Sequence, residues 1–578
     1  MNETTTTTNL PEDPTTTMNV NNNDIVNNPP SIEGERESIS TTSPPSLVDE
    51  TATNSSLSSS NITISSLLNN DIDGTEGVRE EYVQKAKDFE ELLEEVTKMI
   101  LDYYYACGRP TETTVCGGDG SVPSPEQILE ELGPMKREAG TNEECLDDLR
   151  LCFRRSLKTM HPFFLDKLYF GTDPIGQIAE LVVAVLNSNT HVYHVSPVFS
   201  TMEIEVVRQF GNVFFPSATD IDGTLNPGGS MSNMMALLLA RNEHFPHVKK
   251  RGWNMEQDRP VAFTAAQSHY SISSAAMISG MGTERMIQIP CDRKTYQTMD
   301  PDALEKSIQN EIAKGNKPFF VNSVAGSTVL GTFDDFRKIG QICRKYNLWY
   351  HVDACWGGYL VFSSSSDKLF DGLSEYVDSV SFNPHKGLGV PQQCSMLLVQ
   401  NKKDAFIESN GSDAEYLFQK DTNQYDIGDK TLGCGRKGDA LKLWLTMRKY
   451  GFPDGFRTIA DNELTKARHM THLVQESEDF ELVIMNTTVN VSFWYIPPFF
   501  SGGYTKEQKS SVHKIIFQRM KSNGHCLIQQ QPLTELGLPN FFRLALGADR
   551  TRLHDDMEFL LDEIRRLGHD ITAATTKI

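Results

Sequence analysis

The chain has 578 residues and a formal net charge of −23, with 38% hydrophobic and 23% charged residues. So acidic a chain repels nucleic acid and anionic membranes, and neither is expected as a partner; a small anionic ligand would need a local cationic site. No apolar run reaches the roughly 18 residues of a membrane span, no secretory or mitochondrial leader is legible, and ten scattered cysteines without a CxxC pair fit reduced thiols in the cytoplasm.

Residues 1–78 are dominated by Thr, Ser, Asn and Pro, and up to Gly77 carry twelve Asp and Glu against one base, Arg36. Such a segment buries too little apolar surface to offset its ordering entropy, and a disordered tail is expected. Residues 79–197 read as a helical N-terminal segment. Phe89, Leu92, Leu93, Val96 and Ile100 recur at three- and four-residue steps. Ser124-Pro125-Glu126-Gln127 supplies an N-cap, a proline at the first helical position and a capping-box glutamine. Asp173-Pro174 opens another helix through Ile178, Leu181, Val182 and Val185. His191-Val192-Tyr193-His194, without further ligands, reads as structural, and no metal is expected.

From 198 to 440 short apolar runs alternate with longer helical segments. Val261–Thr264, Pro318–Asn322, Leu348–Val352 and Ser379–Phe382 read as strands, and Phe336–Tyr346 as a helix between two of them. This alternation predicts an α/β large domain with a mainly parallel sheet and helices on both faces. Ligands on such sheets lie at the carboxyl ends of the strands. Residues 441–578 mix helices and strands and read as a smaller α+β C-terminal domain.

Five motifs fall at the ends of these runs. Asn226-Pro227-Gly228-Gly229-Ser230 leads into a helix, and glycines at a helix N-terminus can cradle a phosphate. In Gln267-Ser268-His269-Tyr270-Ser271 a neutral imidazole can stack on an aromatic ring. His351-Val352-Asp353 ends a buried strand with a carboxylate that needs a cationic partner; a pyridinium nitrogen would serve. Asn383-Pro384-His385-Lys386 places a lysine just past a buried strand, where an amine becomes a nucleophile towards carbonyls. Asn540-Phe541-Phe542-Arg543 sets an arginine in an apolar strand, and a buried arginine wants a carboxylate. Each motif alone also has an ordinary structural reading. Together they match one object, an amino acid bound to pyridoxal phosphate. Residues alone leave an aminotransferase or a carbon–carbon lyase open beside a decarboxylase.

Over roughly residues 155–570 these motifs, with Ala325-Gly326-Ser327-Thr328 and Asp429-Lys430 leading to Cys434-Gly435-Arg436, resemble the fold-type-I, group II pyridoxal-phosphate decarboxylases. The branch is that of glutamate, cysteine sulfinate and aspartate 1-decarboxylases. The resemblance implies a PLP-dependent transferase-like fold and decarboxylation of an acidic amino acid. It implies that Lys386 holds the cofactor aldehyde covalently, that Asp353 pairs with the ring nitrogen and that His269 stacks on the ring. Gly229, Ser230, Asn383 and His385 would hold the phosphate, and Arg543 the substrate α-carboxylate. It further implies a homodimer with its sites at the subunit interface. Two departures stand out. The segment Lys420–Gly428 looks shorter than the family's mobile loop, leaving Tyr425 as the nearest candidate for the tyrosine that returns a proton to Cα. Lys167 and His191 replace a glutamine and an aromatic of glutamate decarboxylases, and two such groups favour a second acidic group on the substrate.

Overall fold

The computed structural model describes residues 78–118, 120–291, 298–412, 425–485, 488–500, 502–547 and 555–576. The chain divides into two units, Met1–Asn69 and Asn70–Ile578, and every described residue belongs to the second. The expected tail up to Gly77 and residues 420–424 of the expected loop lie outside the described residues.

The described strands are β1 (Phe164–Leu165), β2 (Ile221–Asn226), β3 (Pro260–Ala265), β4 (Met286–Ile289), β5 (Lys317–Val324), β6 (Trp349–Ala354), β7 (Ser379–Phe382), β8 (Ser395–Gln400), β9 (Phe480–Leu482), β10 (Asn490–Tyr495), β11 (Leu527–Leu533) and β12 (Leu538–Ala545). Seven form a sheet in the order β2-β8-β7-β6-β5-β3-β4. From β7 to β4 neighbours are parallel, while β8 runs antiparallel to both β7 and β2. Parallel neighbours need crossovers, and helices such as Pro301–Ala313 and Phe336–Tyr346 provide them. The second of these buries Phe336, Ile339, Gly340 and Cys343, one stripe at three- and four-residue steps. It is capped by the Asp335 carboxylate, which accepts from the Lys338 N–H, and ends on left-handed Asn347.

Helices on both faces explain why the strands read as largely apolar runs, with a few buried polar residues such as His351, Ser379 and Ser381 among them. Side chains alternate between two cores: Met396 and Leu398 of β8 pack with Phe263, Tyr350 and Val380, while Leu397 and Val399 pack with Ala262, Phe320 and Met235.

A second sheet has the order β1-β11-β12-β10-β9. Its strands are antiparallel except at one edge, where Phe164 and Leu165 pair in parallel with Leu527 and Ile528. The segment read as helical therefore also lends a strand to the C-terminal sheet. This places Asp166 and Lys167 beside Arg543 on β12. Helices form where periodicity predicted one, over Glu80–Cys107, and where caps predicted two, over Pro125–Leu132 and Pro174–Leu186, with the Ser124–Gln127 capping box intact. Among the described residues no helix is long and apolar enough to cross a membrane.

Candidate active site

The carboxyl ends of β2, β3, β5, β6 and β7 open onto a cavity of about 210 Å³. Gly229 and Ser230 reach it after β2, His269 after β3, Ser327 and Thr328 after β5, Asp353 and Cys355 at the end of β6, and Asn383, His385 and Lys386 after β7. A larger cleft of about 800 Å³, lined in part by Arg109, Asp173 and Tyr450, shows no such convergence; Asp173 there is already bound by Lys449 at 2.9 Å and by Tyr450.

Asp353 is buried, and its position is fixed by two donors. The Cys355 N–H donates to Oδ1 at 3.1 Å and the Asn233 side-chain amide to Oδ2 at 2.9 Å. Burial pushes its pKa up, but these donors and the nearby Lys386 and His269 outweigh burial and hold the carboxyl below its ordinary range. Asp353 is thus a standing anion facing the cavity.

Lys386 is the only half-exposed residue between Ser379 and Pro391. Its N–H donates to the Asn383 carbonyl at 3.1 Å, in a turn that leaves the amine facing the cavity. His385, beside it, is held between the N–H and carbonyl of Cys394, and burial drives its pKa down to about 4.

His269 lies half-buried against Tyr270, with ring centroids 4.3 Å apart. Its Nδ1 accepts from the Ser271 N–H at 3.3 Å and lies 2.9 Å from the Ser271 hydroxyl. Burial lowers its pKa, so the ring is neutral and its Nε2 carries the proton.

Arg543, 4% exposed, does not line the cavity but is tied to its rim. It donates to the Thr328 carbonyl at 3.1 Å and to the Asp166 carbonyl at 2.6 Å, while its buried Nε has no partner. Burial lowers its pKa to about 10, so it stays cationic at neutral pH. Lys167 is 47% exposed; its ammonium pairs with Asp166 Oδ2 at 2.8 Å and donates to Gln529 at 3.0 Å. Two of its three donors are thereby occupied.

His191 and Tyr425 are placed together but away from the cavity lining. The Gly428 N–H donates to the His191 carbonyl at 2.8 Å, and the Tyr425 ring lies 5.3 Å from that of Tyr193. Sequence reasoning gave no role to Asn233, Ser271 or Cys355, although all three meet Asp353 or His269. For Asn233 the legible signal is its spacing: it follows Gly229 by four residues, so the two share one helical face.

The residues fit pyridoxal phosphate. At the N-terminus of the helix Gly229–His244 the first N–H groups have no helical acceptor. A Cβ on Gly229 would stand 2.5 Å from Cys355 Sγ and 3.0 Å from Asn383 Nδ2, so only glycine leaves the cradle open. Asn383 Oδ1 is buried without a partner. The anion Asp353 suits a protonated ring nitrogen, and the Lys386 amine an aldehyde.

Comparison with known proteins adds the following. The family description "Pyridoxal-dependent decarboxylase conserved domain" matches residues 125–496. Cysteine sulfinic acid decarboxylase of Homo sapiens is 36% identical over 492 residues, covering 83% of this chain and 97% of that protein. Glutamate decarboxylase of Drosophila melanogaster is 37% identical over 491 residues, covering 83% and 93%. The crystal structure of mouse CSAD in apo form superposes with a TM-score of 0.77 at 33% identity, covering 84% of this chain and 99% of that one.

Proposed function

The chain belongs to the pyridoxal-dependent decarboxylase family, and from that premise we propose that its substrate is an acidic amino acid (glutamate, aspartate or cysteine sulfinate) whose α-carboxylate leaves as carbon dioxide. The observation that carries the reading is one cavity holding Lys386 and Asp353 from adjacent parallel strands, with the buried cation Arg543 tied to its rim. The names of relatives that act on acidic substrates favour a second acidic group. Lys167, with one ammonium donor left over, is the residue we assign to it.

Bound pyridoxal phosphate supplies an aldehyde for amine attachment and a ring that draws in the electron pair left by a departing carboxylate. Lys386 Nζ is the amine that anchors the aldehyde and accepts or returns a proton as substrate enters or product leaves. Asp353 stays ionised and holds a proton on the ring nitrogen. His269, neutral, covers a ring face without adding charge. Arg543 would hold the α-carboxylate of a bound substrate and orient it, which favours loss of carbon dioxide over loss of a proton.

Tyr425 and His191 enter this reading through a second subunit. The helix Pro174–Leu186 leaves Ile178 and Val185 55% and 65% exposed, and Tyr270, against His269, is 71% exposed. We assign these surfaces to a homodimer interface, where the cluster of His191, Tyr193 and Tyr425 completes the partner subunit's cavity and Tyr425 delivers the proton to Cα. Its ten free thiols suit a cytoplasmic, reducing location.

The test is carbon dioxide release from a panel of amino acids with pyridoxal phosphate present. Dicarboxylic or sulfinic substrates turn over, aromatic ones do not, and Lys386→Ala abolishes turnover. Preferred turnover of an aromatic amino acid would sink the substrate reading, and near-normal turnover by Lys386→Ala the role of that amine.

A further inference from the structure

Behind Asp353 lies a line of buried polar groups whose donors and acceptors run in one direction. Trp349 Nε1–H donates to the Ser379 hydroxyl at 2.8 Å, and that hydroxyl lies 2.9 Å from His351 Nδ1. His351 Nε2 is 3.1 Å from Asn233 Oδ1. The Asn233 amide nitrogen then donates one proton to Asp353 Oδ2 at 2.9 Å and the other to the Ser271 hydroxyl at 3.0 Å. That hydroxyl faces His269 Nδ1.

These contacts fix every proton. An anionic Asp353 accepts only, so the nitrogen of Asn233 must face it and the oxygen must face His351. An amide oxygen accepts only, so His351 carries its proton on Nε2, with the Ser381 hydroxyl at 3.3 Å as a weaker second acceptor. His351 Nδ1 is then free to accept from Ser379, and the 3.1 Å approach of the Ser379 carbonyl is a contact without a proton. Burial holds His351 neutral, with a pKa of about 4. At the other end, Ser271 spends its own hydroxyl proton on His269 Nδ1, the nitrogen that already accepts the Ser271 N–H.

We propose that Asn233 and His351 are positioning residues for this cofactor site: Asn233 holds Asp353 in place and, through Ser271, sets the tautomer of His269, while His351 prevents the Asn233 amide from turning over. Among the described residues Asn233 joins both branches, bonding directly to the anion meant for the ring nitrogen and, through the Ser271 hydroxyl, to the imidazole meant for the ring face. Networks closed in this way fix orientation more firmly than their separate bonds would. Asp353 faces Lys386, His269 and the Cys355 thiol as well; Asn233 also lines the cavity, whereas His351 and Ser271 do not, so changes at those two reach the cofactor only through the network. The inference rests on the cofactor assignment.

The test uses the full chain stripped of cofactor and titrated with pyridoxal phosphate, followed by absorbance of the bound chromophore against pH. The variants are Asn233→Ala, Ser271→Ala, His351→Leu and His351→Gln, each checked for folding by circular dichroism. Leaving Asp353 short of a donor weakens cofactor binding on the order of tenfold in Asn233→Ala and His351→Leu and moves the chromophore's titration midpoint. His351→Gln, which keeps a donor for Asn233, restores both towards wild type. Ser271→Ala moves the midpoint with affinity within about threefold of wild type. If His351→Leu does not fold, Asn233→Ala and Ser271→Ala decide alone. Variants that bind as wild type with superimposable pH profiles overturn the positioning role and leave the cofactor assignment standing; a wild-type chain that takes up no pyridoxal phosphate overturns both.

Discussion

Arg543 Nη1 donates to the carbonyl oxygen of Thr328 at 3.1 Å, and this bond joins a strand of the smaller sheet to the rim of the cavity on the larger one. The guanidinium reaches the Asp166 carbonyl as well, so two neutral oxygens aim it, while the Asp166 carboxylate, itself paired with Lys167, acts on its charge from nearby. Lysine carries the charge but lacks the planar fork that reaches both carbonyls. Arg543→Lys is therefore expected to lower kcat/KM by about a hundredfold, or roughly 3 kcal/mol, the scale of a lost charge-assisted pair in a dry site. Cofactor uptake remains near wild type, because Arg543 does not line the cavity. Steady-state carbon dioxide release beside a cofactor titration checks this, and an unchanged KM with unchanged kcat refutes it.

Gly229 offers a second, purely steric test. An added methyl would meet Cys355 Sγ at 2.5 Å and the Asn383 amide at 3.0 and 3.2 Å. Overpacking of this kind costs about 1–3 kcal/mol, so Gly229→Ala binds pyridoxal phosphate at least several-fold more weakly. Adding Cys355→Ala removes the closest of these contacts and recovers part of the loss, while the Asn383 contact persists. A Gly229→Ala chain that binds as tightly as wild type would show that the cradle tolerates a side chain there.

The parts legible in the sequence share a physical cause. Strands of a sheet covered on both faces are largely apolar, so β3, β5, β6 and β7 stand out as runs; Asp353 stands out as a charge near the end of β6 and Lys386 as a charge just past β7. The motif glycines and the Asp173-Pro174 cap are local signals that need no tertiary context. β1 is two residues long and owes its strand geometry to Leu527 and Ile528, so no pattern within its own segment could announce it. The compensation of Lys167 by Asp166 depends on how one loop turns, and the part of Asn233 depends on two other elements, β6 and the helix that starts at Ser271, meeting it. Both are properties of packing.

The exposed face of the helix Pro174–Leu186 tests the proposed dimer. Ala179 and Val183 pack inward against Phe199 and Leu441, which leaves Ile178, Val182 and Val185 on the outer side at four- and three-residue spacing. A patch of that kind on a monomer marks a partner surface. Wild type is expected to sediment at twice the chain mass of 64.8 kDa. Ile178→Asp combined with Val185→Asp dissociates it and removes activity, because a desolvated carboxylate without a partner is costly. A fully active wild-type monomer in analytical ultracentrifugation would sink both the interface and the shared site.

Acid sensitivity follows from the buried histidines. Burial lowers His161, His351, His385 and His513 from 6.5 to about 4. Between these values the unfolded chain binds protons that the folded chain refuses, so stability is lost as pH falls from about 6.5 towards 4. Each shift corresponds to ~3 kcal/mol. Asp334, raised by burial to about 6, works in the opposite direction over the lower part of the window, as do Asp378 and Asp439, which burial also raises; these carboxyls offset part of the histidine contribution. The urea midpoint is accordingly expected to drop between about pH 7.5 and pH 5.5. His513 isolates one contribution, because it sits in the core of the smaller sheet. Its Nε2 accepts from the Tyr495 N–H at 3.0 Å and its Nδ1 donates to the Lys509 carbonyl at 2.7 Å, so protonating Nε2 breaks the first bond. His513→Gln keeps polar atoms in that space without titrating, and the pH slope should become shallower. A wild-type midpoint that holds steady or rises on acidification would mean that these rings are protonated in the folded chain.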